Sequence, residues 1–342
     1  MDEHGIFGKN TLNEFKGKNI LITGGTGSIG IGIIKELTKY QPNAIRIFTN
    51  DENSIFETRK MIVDKSNFTF MMGDIRDRER LNLAIRNVDI VFHAAAMKHI
   101  DICEENPFDA VKTNVVGTSN VLEASLLENV SKFILISTDK ATNPTSTLGA
   151  SKLLAERLTA KASSYRGKGK TTFAIVRFGN VIGSRGSVFQ IFLDQIRKEM
   201  PFTVTDEKMT RFIMSIHEAA SLILKITHVA EDGEIYILKM PSVRILDLAK
   251  SIAKVYSTRY ARNEKKSPSI RISKAREGER FHEFLVSPDE IPFCHDIGPM
   301  YKISKDINKK KIPLSQFSSE TAVKISQDKL ERIILELLDE FS

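Results

Sequence analysis

Six short apolar runs, separated by stretches of helical periodicity, fix what this chain can fold into. The runs are Asn19–Thr23 (NILIT), Ile45–Thr49 (IRIFT), Phe68–Met72 (FTFMM), Asp89–Ala96 (DIVFHAAA), Phe133–Ser137 (FILIS) and Phe173–Phe178 (FAIVRF). They are rich in β-branched residues and barely alternate, which suits strands covered on both faces. Helical patterns lie between them, for example over Pro107–Glu128 and Leu148–Tyr165. Strand and helix repeated this way imply an α/β fold, a Rossmann-type doubly wound parallel sheet. The alternation breaks near residue 183. We therefore expect an N-terminal extension (1–16), a sheet domain (17–182) and a smaller region capping the strand ends (183–305), some segments of which return to the sheet. A basic linker and an amphipathic helix (306–342) follow. In that helix Leu330, Ile333, Ile334, Leu337, Leu338 and Phe341 share one face, as for packing on the body of the molecule.

Composition narrows the class. Hydrophobic residues make up 41% and charged residues 27% of 342, an ordinary globular balance. No apolar run approaches the roughly 20 residues that cross a bilayer, and the first residues lack the apolar core of a signal peptide. A cytoplasmic protein without a membrane partner is expected. Cys103 and Cys294 stand far apart, so two thiols are expected rather than a disulfide, and neither Cys nor His spacing suggests a metal. The net charge of +7 gathers in the C-terminal half. It fits a solvated face, a pocket for an anionic substrate or a nucleic-acid surface. No stacking aromatics interleave with these charges, so no nucleic-acid partner is expected.

The first run leads directly into TGGTGSIG and a helix. Glycines at 24, 27 and 30 allow a tight turn and close approach of a pyrophosphate to a helix N-terminus. Asp51, about 20 residues on, stands where an acid reads the adenosine ribose. Asp74 and Ile75 follow the third run, where such folds touch the adenine, and Ala94, Ala95 and Ala96 end the fourth, where small side chains leave room. With Thr23, Ser28 and Ile29 these are the candidate dinucleotide contacts, for NAD or NADP.

At this point the chain resembles the extended short-chain dehydrogenases, and among them the soluble UDP-N-acetylglucosamine 4,6-dehydratases, including 5-inverting members. GDIRDRERL, VFHAAAMKHI, KTNVVGTSNVLEAS, STDKATNP, GASKLLAE, RFGNVIGSRGSV, TDEKMTRF and REGERFHE carry the likeness, over about residues 20–285. The resemblance implies oxidation at carbon 4 of a UDP-sugar, loss of water across carbons 5 and 6, and return of the hydride to carbon 6. It makes Asp139 the acid and Lys140 the base of the elimination. It places Asn114 and Lys152 at the cofactor, Lys152 on the nicotinamide ribose. It places Lys98, Asn180, Arg185, Val188, Thr205, Arg211, Arg276 and Glu279 around the nucleotide sugar. A homo-oligomer, dimer or hexamer, is also implied. As a base, Lys140 needs a pKa below the ordinary value of about 10.4.

The sequence departs from the family twice. Where members commonly show Ser-Arg-Asp-Glu after the second strand, with a further basic residue shortly after, this chain has Thr49, Asn50, Asp51, Glu52 and then Ser54. Without a cation for a 2′-phosphate, the expectation leans to NAD. Where short-chain dehydrogenases carry a Tyr four places before the Lys, this chain has Leu148. A Leu accepts no proton, but some family members carry Met there. Thr138, beside Asp139, is the candidate to relay the carbon 4 proton to Asp139 or to water. Two rivals stand beside the dehydratase: a 4-epimerase, and a sensor that kept the cofactor fold without catalysis.

Overall fold

The computed structural model describes residues 14–62, 67–260, 268–274, 278–308 and 312–340. Strands and helices alternate through the first half: β1 (Asn19–Thr23), α1 (Ser28–Leu37), β2 (Ala44–Thr49), α2 (Glu52–Met61), β3 (Phe68–Met72), α3 (Arg78–Ile85), β4 (Ile90–His93), α4 (Ile100–Glu105), α5 (Pro107–Val111), α6 (Thr118–Leu127), β5 (Lys132–Thr138), α7 (Thr147–Ala162) and β6 (Thr172–Phe178). Then come β7 (Asn180–Val181), α8 (Val188–Arg197), β8 (Phe202–Val204), β9 (Thr210–Met214), α9 (Ile216–Val229), β10 (Ile235–Leu238), β11 (Ser242–Arg244), α10 (Ile245–Tyr260), β12 (Ile270–Ile272), β13 (Cys294–Asp296), β14 (Met300–Ile303) and α11 (Gln327–Glu340).

Nine strands form one sheet in the order β3-β2-β1-β4-β5-β6-β10-β14-β13. It is parallel from β3 to β10, and β14 and β13 close the edge antiparallel. From β2 to β6 both faces are covered, which is why those strand sequences do not alternate, while β3 at the edge is only partly covered. Ile20, Ile22, Ile134 and Val176 pack under α1 and α9, while Leu21, Phe133, Leu135 and Ile175 pack under α3, α6 and α7. Side chains start the helices where the sequence changes period. Asp51 accepts from the Ser54 N–H to cap α2, Ser146 caps α7, and Ser215 with Glu218 forms a capping box on α9. The strand order reverses between β1 and β4, and a crevice opens at the carboxyl ends of these strands.

A second core lies beyond β6. Phe192 of α8 stacks on Phe202 of β8 at 4.7 Å, and α10 and α11 close over them. Leu330, Ile333, Ile334, Leu337 and Leu338 of α11 are buried there; Phe341 lies outside the described residues. A small sheet, β11-β9-β7, ties this core to the end of β6. Cys103 and Cys294 are free, buried thiols. No helix among the described residues is long and apolar enough to cross a membrane.

Two elements differ from the expectation. The fourth strand ends at His93 rather than Ala96, because the chain leaves the sheet where the Gly24 turn crowds the Ala95 backbone. The helix expected over Pro107–Glu128 is interrupted by a π turn at Lys112–Gly117.

Candidate active site

The crevice holds a cavity of about 840 Å³, within the range of ligand sites. Its floor is the turn after β1. Gly24 sits at φ 65°, and a Cβ there would stand 2.7 Å from the Ala95 backbone; one on Gly30 would stand 2.5 Å from the Gly25 backbone. Gly27 gives α1 no side-chain cap, so the N–H groups of its first turn are left for an anion. Gly24, Gly27, Ser28, Ile29, Gly30, Ala94, Ala95 and Ala96 all line the cavity, and so do Asp51, Asp74 and Ile75 at its far end. These residues fit a dinucleotide: backbone donors for a pyrophosphate, small walls, and carboxylates at the adenosine end. Arg76 also lies there, unforeseen from the sequence. It donates to both oxygens of Asp74, at 3.0 and 2.7 Å, and this hydrogen bonding holds the Asp74 carboxyl below its ordinary value.

Thr23 and Asn114 were expected at the cofactor, but both are buried in a polar spine behind the cavity. Thr118 Oγ1 donates to the Asn114 carbonyl at 2.7 Å, so it accepts from His93 Nε2 at 2.9 Å. His93 Nδ1 therefore accepts from Thr23 Oγ1 at 2.6 Å. Asn114 in turn spends its amide on Met97 and Ser151, which pins the loop after β4 to α7 and explains the π turn at its own position. Burial, helped by the Lys152 cation, pushes His93 down to about 3, so this ring is neutral. Lys152 is buried, lines the cavity and donates to the Ile136 carbonyl at 2.7 Å. Burial pushes it down to about 8 against the opposing pull of Glu156.

The acid–base centre forms where β5 ends. Asp139 has 0% exposure. Its Oδ1 accepts from Thr138 Oγ1 and from Lys140 Nζ, each at 3.0 Å, while its Oδ2 has no hydrogen-bond partner among the described residues. Burial raises the Asp139 carboxyl above its ordinary value; Lys140 opposes this and the Glu283 anion adds to it. Lys140 moves the opposite way from the expectation. Burial alone would lower it, but the Asp139 and Glu283 carboxylates outweigh burial and hold it above the ordinary lysine value. Leu148 lines the cavity and is buried against Cys103 and Ala110, with Met97 and Ile100 beside it. It fills an apolar niche and strands no polar atom.

A family model described as polysaccharide biosynthesis protein matches residues 20–305. The chain belongs to this family. It is 46% identical to an uncharacterized membrane protein of Methanocaldococcus jannaschii, over 95% of this chain and 97% of that one. It is 41% identical to a UDP-N-acetylglucosamine 4,6-dehydratase (inverting) of Campylobacter jejuni, over 86% and 84%. It is 34% identical to a UDP-glucose 4-epimerase of Rickettsia felis, over 94% and 97%. Among solved structures it is similar to Pen from Bacillus thuringiensis, with a TM-score of 0.88, 38% identity and coverage of 94% and 98%.

The remaining candidates fall into two groups. Lys98, Asn180 and Arg185 line the cavity, and Lys98 Nζ donates to the Arg185 carbonyl. Burial lowers Lys98, with Arg185 adding to the effect. Val188 opens α8 just beyond. Among the described residues the Asn180 Oδ1 and Ser187 Oγ atoms are buried without hydrogen-bond partners, as is common where a ligand is to supply them. Thr205, Arg211 and Glu279 do not line this cavity; they gather beside it. Thr205 Oγ1 and Arg211 Nη2 both reach the Met209 sulfur at 3.2 Å, and Arg211 pairs with Glu279 at 3.4 Å. Arg276 lies outside the described residues. Glu283 and Arg280 join the two groups and were missed, although both stand within REGERFHE. Glu283 is 2% exposed, with Lys140 at 3.4 Å, Arg211 at 3.8 Å and Arg280 at 4.0 Å. Its signal was available only as a carboxylate in a segment rich in cations.

Proposed function

We propose that this chain is a nucleotide-sugar 4,6-dehydratase acting on UDP-N-acetylglucosamine, with inversion at carbon 5, in the cytoplasm. The observation that carries the reading is the buried Asp139–Lys140 contact of 3.0 Å, with an unpartnered carboxylate oxygen on Asp139. Elimination needs an acid and a base side by side. A proton shift across this contact turns the ion pair into a carboxylic acid and a free amine, and burial favours that neutral form. Asp139 then gives its proton to the departing carbon 6 hydroxyl, and Lys140 takes the proton of carbon 5. The pair ends as it began, charged. This removes the need for a permanently lowered Lys140. Thr138 lines the cavity and its Oγ1 donates to Asp139, which suits it to pass the carbon 4 hydroxyl proton on to water in place of a Tyr at 148; solvent supplies one in return at carbon 5 when the hydride reaches carbon 6.

Bound NAD(P) would supply the group that takes the hydride from carbon 4 and returns it to carbon 6. The Gly24–Gly30 turn would hold its pyrophosphate, Asp51 and Asp74 its adenosine, and Lys152 its nicotinamide ribose. We favour NAD, because Asp51 would face a 2′-phosphate and the nearby Arg76 is already neutralised by Asp74. Arg185 and Arg211 suit the diphosphate of the sugar nucleotide. The working unit we propose is a homo-oligomer.

The name carried by the Rickettsia relative favours a second reading, a 4-epimerase, which needs no elimination acid. Proton NMR with UDP-N-acetylglucosamine in heavy water separates the two. A 4-keto-6-deoxy product with solvent deuterium at carbon 5 is expected, abolished by Lys140→Met and Asp139→Asn and slowed at least tenfold by Thr138→Val. A carbon 4 epimer without loss of water would replace this reading with the second. No turnover at all would favour the sensor.

A further inference from the structure

We propose that Glu283 is a positioning residue of this centre: it clamps the Lys140 ammonium against Asp139 and directs the exchangeable proton to Asp139. The inference rests on the dehydratase reading for its catalytic consequence, but not for its geometry.

Two carboxyls are buried at one lysine. Lys140 Nζ lies 3.0 Å from Asp139 Oδ1 and 3.4 Å from Glu283 Oε1. Among the described residues each carboxyl keeps one oxygen, Asp139 Oδ2 and Glu283 Oε2, without a hydrogen-bond partner. Like charges this close cannot share a buried site on equal terms, so one carboxyl holds the proton more readily than the other. The surroundings decide which. Asp139 has Lys140 as its ion-pair partner. Glu283 has Lys140, Arg211 of β9 and Arg280 of its own segment within 4.0 Å. Glu279 meets the cluster at Arg211, and His282 turns away, toward Thr210 and Glu320. Among the described residues three cations hold Glu283 ionised, and Asp139, with one, takes the proton. The raised Asp139 and the lowered Glu283 agree with this count.

The backbone of Glu283 is fixed independently of its side chain. Its N–H donates to Ser319 Oγ at 2.8 Å, and its carbonyl accepts from the Ser319 N–H at 2.9 Å. Ser319 is itself buried and bonded to Thr210. A carboxylate held this firmly, beside Lys140 and without a cavity-facing role, acts on the pair through its charge.

Removing that charge lowers the proton affinity of both partners, so the pH window in which they share one proton moves to lower pH. Glu283→Gln is isosteric and keeps the backbone bonds. Its kcat–pH profile is expected to lie roughly one unit to the acid side of wild type, with kcat down roughly tenfold and KM little changed; Glu283→Asp should return part of both. A profile lower in height but superimposable in pH overturns the proposal, since a packing defect has that signature. Infrared titration of the whole protein without substrate tests the geometry alone. The carboxylic-acid C=O band that appears first on acidification should vanish in Asp139→Asn and emerge at lower pH in Glu283→Gln. If that first band persists in Asp139→Asn, the proton sits elsewhere and the proposal fails, even where Glu283→Gln does not fold. If the infrared result holds and no product forms, the dehydratase reading falls and the clamp stands.

Discussion

Lys152 shows how much a single buried amine tells. It sits one helical turn beyond Leu148, on the face of α7 that looks into the cavity, and it finds a carbonyl but no carboxylate within hydrogen-bonding range. Burial brings it to about 8, against 10.5 for an exposed lysine. The sign follows from linkage. Between these values the unfolded chain binds more protons than the folded one, so stability rises with pH there. The penalty is fully present below about pH 8 and relieved as pH climbs toward 10.5. Relative to Lys152→Met, the wild type should therefore gain stability across that window, by about 3 kcal/mol in all. Urea unfolding of both proteins over this range checks it. Parallel curves would mean that Lys152 is charged and solvated in the fold. Cofactor binding should be weakened in Lys152→Met at every pH, if the residue holds the ribose.

At the scale of elements, the segment carrying Glu279, Arg280 and Glu283 must be anchored for the centre to exist, and Arg177 of β6 is one anchor. With 0% exposure it donates to Glu156 of α7 at 2.6 and 3.1 Å, to Glu290 at 2.8 and 2.9 Å, and to the Leu285 carbonyl at 3.0 Å. One guanidinium thus joins the sheet, the helix of Lys152 and the segment of Glu283. Arg177→Met leaves the buried Glu156 and the partly buried Glu290 without their cation and should cost about 3–5 kcal/mol in urea unfolding. Adding Glu156→Gln and Glu290→Gln should recover much of it; no recovery would mean that packing rather than charge is lost. None of this was legible in the sequence. The six strands were, because burial on both faces of the inner five writes itself as unbroken apolar runs and the edge strand β3 keeps an apolar run of its own, and so was the Gly-rich turn, because its backbone tolerates nothing larger. Asp139 and Lys140 were legible as neighbours after a strand. Glu283 and Arg280 were not, because Lys140 and Arg211 stand on other elements, far away in sequence, and only the fold brings them together. The π turn was hidden for a similar reason: its cause is the tie from Asn114 to Met97 and Ser151, not a periodicity. Lys140 shows the remaining gap, since its proton affinity depends on Glu283, which sequence reading had not placed beside it.

At the scale of the whole molecule, one face remains unexplained by the single chain. Phe108 is 81% and Leu127 74% exposed, and Ile102, Val111, Val116, Leu154 and Leu158 are also open to solvent. All lie on α4, α5, α6, α7 or the π turn, helices that pack beside one another on one side of the sheet. Apolar residues recurring at helical spacing on a surface, such as Leu154 and Leu158, mark a face made to be covered. The homo-oligomer proposed above would cover it with a second copy. A two-fold axis would set the same helices against themselves, apolar on apolar, in a self-complementary interface. The arrangement also has a consequence for the site, because α7 carries Leu148 and Lys152 on its inner side, and the Asn114 spine ties it to the π turn. Covering the outer side of these helices would stiffen the wall of the cavity. Leu154→Glu with Leu158→Glu, which places two like charges opposite their own copies, should convert the oligomer to monomer in light scattering. It should also weaken cofactor binding roughly tenfold, although neither residue lines the cavity. An unchanged mass would place the interface elsewhere. A monomer that binds cofactor as tightly as the wild type would show that each site is complete within one chain.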